Sequence, residues 1–104
     1  MQAWSLRLYL HESNRHAGQP TWEWLLEQAR TLGIAGGSAF RAIAAFGRHG
    51  VLSEQHFFEL AGQSTIVVEF VLDAEQSAQL LALIEAEHIA LFYLRHAVDC
   101  GTTG

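Results

Sequence analysis

The pattern of apolar and polar residues predicts β-strands over four stretches of the chain, and it is clearest in the first, which alternates with the period of two that is typical of a strand. The first stretch, residues 3–10, places Trp4 and three leucines on one side and Ser5, Arg7 and Tyr9 on the other. The remaining stretches are residues 38–46, 65–72 and 89–96. Residues 65–72 are also rich in β-branched side chains, which favour strands. The pattern therefore predicts four strands.

Two further stretches repeat apolar residues at the three- and four-residue spacing of an amphipathic helix. The first helix is predicted over residues 20–32, with Pro20 in its first turn and Gly33 just after its end. The second helix is predicted to begin after Asp73, which forms a capping-box pattern with Gln76. The predicted core faces consist of Trp22, Leu25, Leu26, Ala29 and Leu32 in the first helix and Ser77, Leu80, Leu81 and Ile84 in the second. Trp24 is expected to point away from the core.

The order of these elements predicts the fold class. Strand, helix, strand, strand, helix and strand form the βαββαβ arrangement of an α+β, ferredoxin-like sandwich, with two helices on one face of a four-stranded antiparallel sheet. We expect a single domain over residues 1–97 and a flexible C-terminal tail over 98–104. The connection between the second and third strands, 47–64, is much longer than the ~2 to 5 residues of an ordinary hairpin loop. Loops of this length are often functional.

The two helices can cover only one face of the sheet, and the composition of the other face is informative. We predict that this open face carries Arg7, Tyr9, Arg41, Ile43, Ala45, Thr65, Val67, Glu69 and Val71, whereas Phe40, Ala42, Ala44 and Phe46 face the opposite way. A solvated sheet face is usually mostly polar, so a half-apolar face indicates burial against other copies of the chain. We expect a homo-oligomer with Arg7 or Arg41 paired to Glu69. Ordinary β-forming residues on an exposed sheet are the alternative.

Composition narrows the class of protein further. Half of the 104 residues are apolar, the formal net charge is −5, and all six basic residues are arginines at separate positions. A nucleic-acid partner is disfavoured, because a phosphate-backbone binder would show a basic stripe. Cys100 is the single cysteine, which excludes an intrachain disulfide. No apolar stretch reaches the ~18 residues of a membrane helix and no signal-like start is present, so we expect a cytoplasmic protein without membrane insertion.

Several arginines and glycines are candidates for binding a small anionic ligand, since a guanidinium can form a forked pair of hydrogen bonds to a phosphate or carboxylate. The candidate ligand-binding residues are Arg41, Gly47, Arg48, His49, Gly50 and Arg95. The Gly47–Gly50 segment would let the backbone approach an anion closely. The alternatives are an ordinary glycine-rich turn for this segment, a structural ion pair with Glu69 for Arg41, and a solvated edge position for Arg95.

Histidines and the cysteine are weaker candidates for chemistry. The six histidines show neither a zinc-finger spacing nor a His-Glu-x-x-His pair, so we predict no metal site. Cys100 lacks an evident histidine partner, and no nucleophile, acid–base pair or metal triad stands out. We therefore predict no catalytic residues, no covalent cofactor and no enzymatic activity.

Several blocks of sequence nevertheless resemble one known family. Over roughly residues 5–90 the chain resembles the domain of unknown function 190 family, DUF190, a branch of the PII-like superfamily. The blocks that carry the resemblance are Glu12-Ser13-Asn14-Arg15, Gly18-Gln19-Pro20, Glu27-Gln28-Ala29-Arg30, Gly33-Ile34-Ala35-Gly36-Gly37, Phe46-Gly47 and Ile66-Val67-Val68-Glu69.

This resemblance implies more than the residues alone do. It implies a homotrimeric signalling or regulatory protein that binds a small anionic effector, such as an adenine nucleotide, in the clefts between subunits. The 47–64 connection would correspond to the partner-contacting T-loop, and the partner would be a protein such as a transporter or an enzyme. A divalent-metal-binding protein similar to the cation-tolerance group and a structural adaptor without ligand are the alternatives.

Overall fold

The structure is a computed structural model that describes residues 2–46 and 64–104. Six strands and two helices follow one another in the described residues. They are β1 (Gln2–His11), β2 (Arg15–His16), β3 (Gln19–Pro20), α1 (Thr21–Thr31), β4 (Gly36–Arg41), β5 (Thr65–Leu72), α2 (Ala74–Ala86) and β6 (Phe92–Asp99). None of the helices in this part of the chain has both the length and the apolar character needed to cross a membrane.

The main sheet has the order β4-β5-β1-β6, and each neighbouring pair is antiparallel. The central strand β1 pairs with β5 from Trp4–Leu72 to His11–Thr65, and with β6 from Gln2–Asp99 to Tyr9–Phe92. Together with the two helices, this order confirms the predicted ferredoxin-like arrangement. The two-residue strands β2 and β3 form a separate small hairpin just before α1.

The core lies between the sheet and the two helices. The even-numbered positions of β1 and β5 face the helices because cross-strand partners lie on the same face of an antiparallel pair. The buried side chains of this layer are Leu6, Leu8, Leu10, Ile66, Val68, Phe70 and Leu72 from the sheet and Leu25, Ala29, Leu80 and Ile84 from the helices. The core residues predicted from the periodicity of β1, β5 and α2 are confirmed.

The capping box predicted at the start of α2 is also present. The Asp73 carboxylate accepts a hydrogen bond from the Gln76 backbone N–H at 2.7 Å, and the Gln76 side chain accepts one from the Asp73 N–H at 3.1 Å. These bonds satisfy N–H groups that lack a partner inside the helix. The Gln76 amide also donates to the Gly33 carbonyl at 3.2 Å, which joins the start of α2 to the end of α1.

The prediction that Trp24 points away from the core is wrong. Trp24 is only 6% exposed and belongs to the main apolar cluster. The physical reason is the β2–β3 hairpin, which packs against α1 and covers a helix surface that would otherwise face solvent. The His16 ring lies edge-on to the Trp24 ring, with 4.6 Å between their centroids. Helical periodicity could not reveal this second covering layer.

The predicted extent and facing of the second strand are also wrong. The strand β4 spans Gly36–Arg41 rather than 38–46, and its register places Arg41 opposite Ile66 and Phe40 opposite Val67. Arg41 is therefore on the helix-side face and Phe40 on the open face, the reverse of the prediction, while Ile43 and Ala45 lie beyond the strand. A change of one residue in register reverses the facing of every side chain in a strand.

The last strand also differs from its prediction. The strand β6 starts at Phe92, three residues later than expected, and reaches Asp99. Its end is two residues beyond the predicted end of the domain.

Candidate functional site

The open face of the sheet is rich in apolar side chains, as the sequence indicated, but with a partly different membership. Phe40 is 54% exposed and Val71 is 40% exposed on this face. The ring of Tyr9 packs at 5.6 Å from that of its cross-strand partner Phe92. The register adds Val67, Leu94 and Val98 to the same face. Exposed aromatic and aliphatic residues on one sheet face are typical of a surface that another protein chain covers.

The polar centre of the open face is built around Glu69. The Arg7 guanidinium donates to the Glu69 carboxylate at 2.9 Å, and the buried Ser5 hydroxyl donates to the same oxygen at 3.2 Å. Arg7 and Glu69 are direct cross-strand partners. The hydrogen bond and the negative charge of Glu69 raise the pKa of Arg7. This pair confirms one of the two predicted partners of Glu69.

The other predicted partner, Arg41, pairs with a different acid. Arg41 Nε donates to Glu12 Oε1 at 3.2 Å, and Arg41 Nη2 donates to Glu12 Oε2, so the contact is bidentate. The hydrogen bond from Arg41, together with its positive charge, lowers the pKa of Glu12, and Glu12 raises the pKa of Arg41. The predicted alternative of an Arg41–Glu69 pair is wrong because the two residues lie on opposite faces of the sheet.

Backbone hydrogen bonds fix the positions of Glu12 and Ala42 against the start of β5. The Glu12 N–H donates to the Ser64 carbonyl at 2.7 Å, and the Ala42 N–H donates to the Thr65 carbonyl at 2.9 Å. The turn after Glu12 is closed by Asn14, whose side chain accepts from the His11 N–H at 3.0 Å. The Arg41–Glu12 pair therefore joins the end of β1 to the end of β4 across β5.

A concave apolar surface lies at the same end of the sheet as the Arg41–Glu12 pair. Its lining includes Tyr9, Phe92, Ala42, Val67 and Ile89. Ala42 directly follows Arg41 in the chain, but neither Arg41 nor Glu12 belongs to this lining. Such a surface can accept the flat apolar part of a ligand.

The predicted candidate Arg95 lies elsewhere. Arg95 is on the helix-side face of β6, opposite Leu6. It donates to the buried Ser77 hydroxyl at 3.1 Å, and its guanidinium lies 5.1 Å from the centre of the Trp4 ring. Because β4 and β6 are the two edges of the sheet, Arg41 and Arg95 are far apart within one subunit. The remaining predicted ligand-binding residues, Gly47, Arg48, His49 and Gly50, lie outside the described residues.

Four of the six histidines, His11, His16, His88 and His96, fall in the described ranges. No group of three or more His, Cys, Asp or Glu side chains within 2–46 and 64–104 is close enough to hold a metal ion. His16 Nε2 lies 2.9 Å from Glu87 Oε1, which joins the β2–β3 hairpin to the end of α2. This contact accounts for His16 as a structural residue.

Comparison with known proteins identifies the family. A family model for DUF190, described as an uncharacterized ACR, matches residues 3–92, and the chain belongs to this family. The chain is also 32% identical over 89 residues to a UPF0166 protein of Aquifex aeolicus (strain VF5), an alignment that covers 86% of this chain and 85% of that protein.

Solved structures show the fold class at lower identity. CPII of Thiomonas intermedia K12 is a nitrogen regulatory PII-like protein. Its structure bound to ADP, AMP and bicarbonate matches 99% of this chain and 97% of CPII, with a TM-score of 0.67 at 14% identity. The apo form of CPII matches 99% of this chain and 96% of its own, with a TM-score of 0.68 at 11% identity. The chain therefore has a PII-like fold.

Proposed function

We propose that this protein is a PII-like regulatory protein, a homotrimer that binds an adenine nucleotide in clefts between subunits and regulates a partner protein through the 47–64 loop. The observation that carries the proposal is that the exposed Arg41 fork and the concave apolar surface that includes Tyr9 and Phe92 occur at the same end of the sheet. An adenine ring suits such a surface, and a phosphate suits a guanidinium. The ADP and AMP bound to CPII, a protein of the same fold, support this choice of ligand.

The oligomer is proposed from the open face. Phe40 and Val71 are apolar and largely exposed in the single subunit, and covering them removes apolar area from water. Assembly would also supply a second wall for the open, concave surface. Arg95, at the opposite edge of the sheet from Arg41, could then approach a ligand only from a neighbouring subunit.

Two measurements test the proposal. Light scattering after gel filtration is expected to give a mass of three copies of the 11.5 kDa chain. Calorimetric titration is expected to show binding of ADP or AMP, and Arg41→Gln to weaken it about tenfold or more, as expected for the loss of a charge-assisted hydrogen bond. Arg30→Gln, on the exposed side of α1, is the charge-matched control and is expected to bind normally.

The outcomes separate the parts of the proposal. A monomer at micromolar concentration would contradict the trimer, and no heat with any adenine nucleotide would contradict the ligand. Arg48→Ala, measured alongside, tests the other predicted arginine of the site. Binding of a divalent cation without any nucleotide would favour the metal-binding alternative instead.

A further inference from the structure

The Glu12 carboxylate contacts Arg41 with the same geometry that a phosphate of a bound ligand would adopt. Both carboxylate oxygens of Glu12 face donors of one guanidinium, which is the forked arrangement that also binds phosphate. The Arg41 side chain is 60% exposed and the Glu12 side chain is 26% exposed, so the fork is reachable from solvent. An anion arriving at Arg41 would meet a fork that already holds a carboxylate.

The position of Glu12 is fixed by the backbone and not only by its side chain. Its N–H donates to the Ser64 carbonyl at 2.7 Å, and the turn that follows is held by the Asn14 N–H donating to the His11 carbonyl at 3.1 Å. The Glu12 backbone is therefore held within reach of Arg41, and only the rotamers of the two side chains must be ordered to form the contact. This makes Glu12 an effective competitor for the guanidinium.

We infer that Glu12 competes with the ligand anion for Arg41, so that ligand binding replaces the Glu12 carboxylate with a phosphate of the ligand. This replacement breaks the side-chain link between the end of β1 and the end of β4. The inference rests on the proposed function and deepens it, since it identifies a residue that sets ligand selectivity and couples occupancy to the ends of β1 and β4. A ligand changes a conformational equilibrium only through its different affinity for the two states. Here the two states differ in whether Arg41 holds Glu12.

Competition of this kind selects among anions by charge. A singly charged anion offers Arg41 about the same charge and hydrogen-bond acceptors as Glu12. Its binding would also leave the displaced Glu12 carboxylate close by as a repelling charge. A polyphosphate carries more negative charge and more oxygen acceptors, so it can outcompete a single carboxylate. Glu12 thus raises the threshold for weak anions and favours di- and triphosphates over monoanions such as acetate.

The test measures binding of tripolyphosphate and of ADP to four proteins by calorimetric titration. The proteins are the wild type, Glu12→Gln, Arg41→Gln and the control Glu75→Gln, which removes one exposed charge from the first turn of α2. Glu12→Gln is expected to bind tripolyphosphate about two- to fivefold more tightly, the range expected for loss of one exposed ion pair. Glu75→Gln is expected to match the wild type, and Arg41→Gln to bind most weakly.

Hydrogen exchange gives a second readout that does not depend on affinity. Saturation of the wild type with tripolyphosphate is expected to speed exchange of the Glu12 and Ala42 amides, and Glu12→Gln is expected to show faster exchange without ligand. Unchanged exchange in both cases would overturn the inference. A thermal melt of each variant confirms that it is folded before these comparisons.

The results separate this inference from the proposed function. Equal affinities of Glu12→Gln and wild type for ADP and tripolyphosphate would overturn the role of Glu12 and leave nucleotide binding intact. Tighter tripolyphosphate binding by Glu12→Gln, with no ADP binding by any protein, would support the inference and contradict the nucleotide. Absence of binding of either probe to all four proteins would overturn both.

Discussion

Gly37 of β4 lies against the ring of Phe70 so closely that a Cβ atom at this position would be 2.5 Å from the Phe70 Cε1 atom and 3.2 Å from a methyl group of Leu26. Phe70 is 1% exposed, so its ring is enclosed by the core and cannot move aside cheaply. Phe70 is the cross-strand partner of Gly37, and its ring lies where a side chain at position 37 would be. The same register places Arg41, four residues later, on the helix-side face, where it meets Glu12.

Gly37→Ala is expected to destabilise the fold by about 1 to 3 kcal/mol, the usual cost of inserting an extra methyl group into a well-packed core. The measurement is the free energy of unfolding from urea titration. The matched control is Gly36→Ala, since nothing lies within 4 Å of a Cβ built at Gly36. Equal stability of the two variants would contradict the account of β4 packing.

The register of β4 also explains why the site was only partly predictable from the sequence. In residues 4–10 of β1 and in β5 one face is apolar throughout, and this face correctly predicted the buried leucines, Ile66, Val68 and Phe70. In 38–46 the residues are mostly alanine and phenylalanine, so alternation gives little contrast between faces. The packing of the Phe70 ring over Gly37, its cross-strand partner in the observed register, is a tertiary contact that no local pattern contains.

The incorrectly predicted facing of the second strand also leads to the wrong ion-pair partner for Arg41. If Arg41 lay on the open face, as the sequence predicts, Glu69 would be the acid expected to pair with it. Glu12 is then expected to be only the first residue of a turn. Because Arg41 faces the helices, Glu69 cannot pair with it. Glu69 pairs instead with Arg7, its cross-strand partner. The fold class did not depend on this detail, because the order of strands and helices defines it.

The open face provides a prediction about assembly. Val71→Lys places a charge among apolar side chains that we propose to be covered by other subunits, and burying an unpaired charge is costly. Because Val71 is 40% exposed in the single subunit, the fold itself is expected to tolerate the change. Sedimentation velocity is expected to show a shift from trimer toward monomer.

The control for this change is Ala78→Lys, at an exposed position on α2. It adds the same charge away from the open face and is expected to remain trimeric. If Val71→Lys kept the same sedimentation coefficient as Ala78→Lys, the open face could not be the subunit interface.

The burial of Trp24 gives a prediction about stability that differs between two neighbouring tryptophans. Trp24→Ala removes an almost fully buried ring that packs against His16, and a loss of about 3 to 5 kcal/mol is expected. Trp22 is only partly buried at the edge of the core, so Trp22→Ala is expected to cost less. Urea unfolding of both variants checks this order. A larger loss of unfolding free energy for Trp22→Ala would instead support the orientation of α1 predicted from periodicity, with Trp24 facing away from the core.

The Glu12–Arg41 pair predicts a pH dependence of stability with a defined sign. Arg41 lowers the pKa of Glu12 in the folded protein, so the folded state binds this proton less readily than the unfolded state does. The stabilisation is then present above the pKa of Glu12 in the unfolded chain, and it is lost as the pH falls through the lower pKa of the folded protein. Glu12→Gln cannot titrate and lacks this contribution.

The measurement is the difference in melting temperature between wild type and Glu12→Gln from pH 7 down to pH 3. The difference is expected to be largest near neutral pH and to shrink at acidic pH, with the wild type the more stable. Because the pair is exposed to solvent, added salt is expected to reduce the difference at pH 7. A difference that grew on acidification would mean that the fold favours the protonated form of Glu12, which would contradict an ion pair with Arg41.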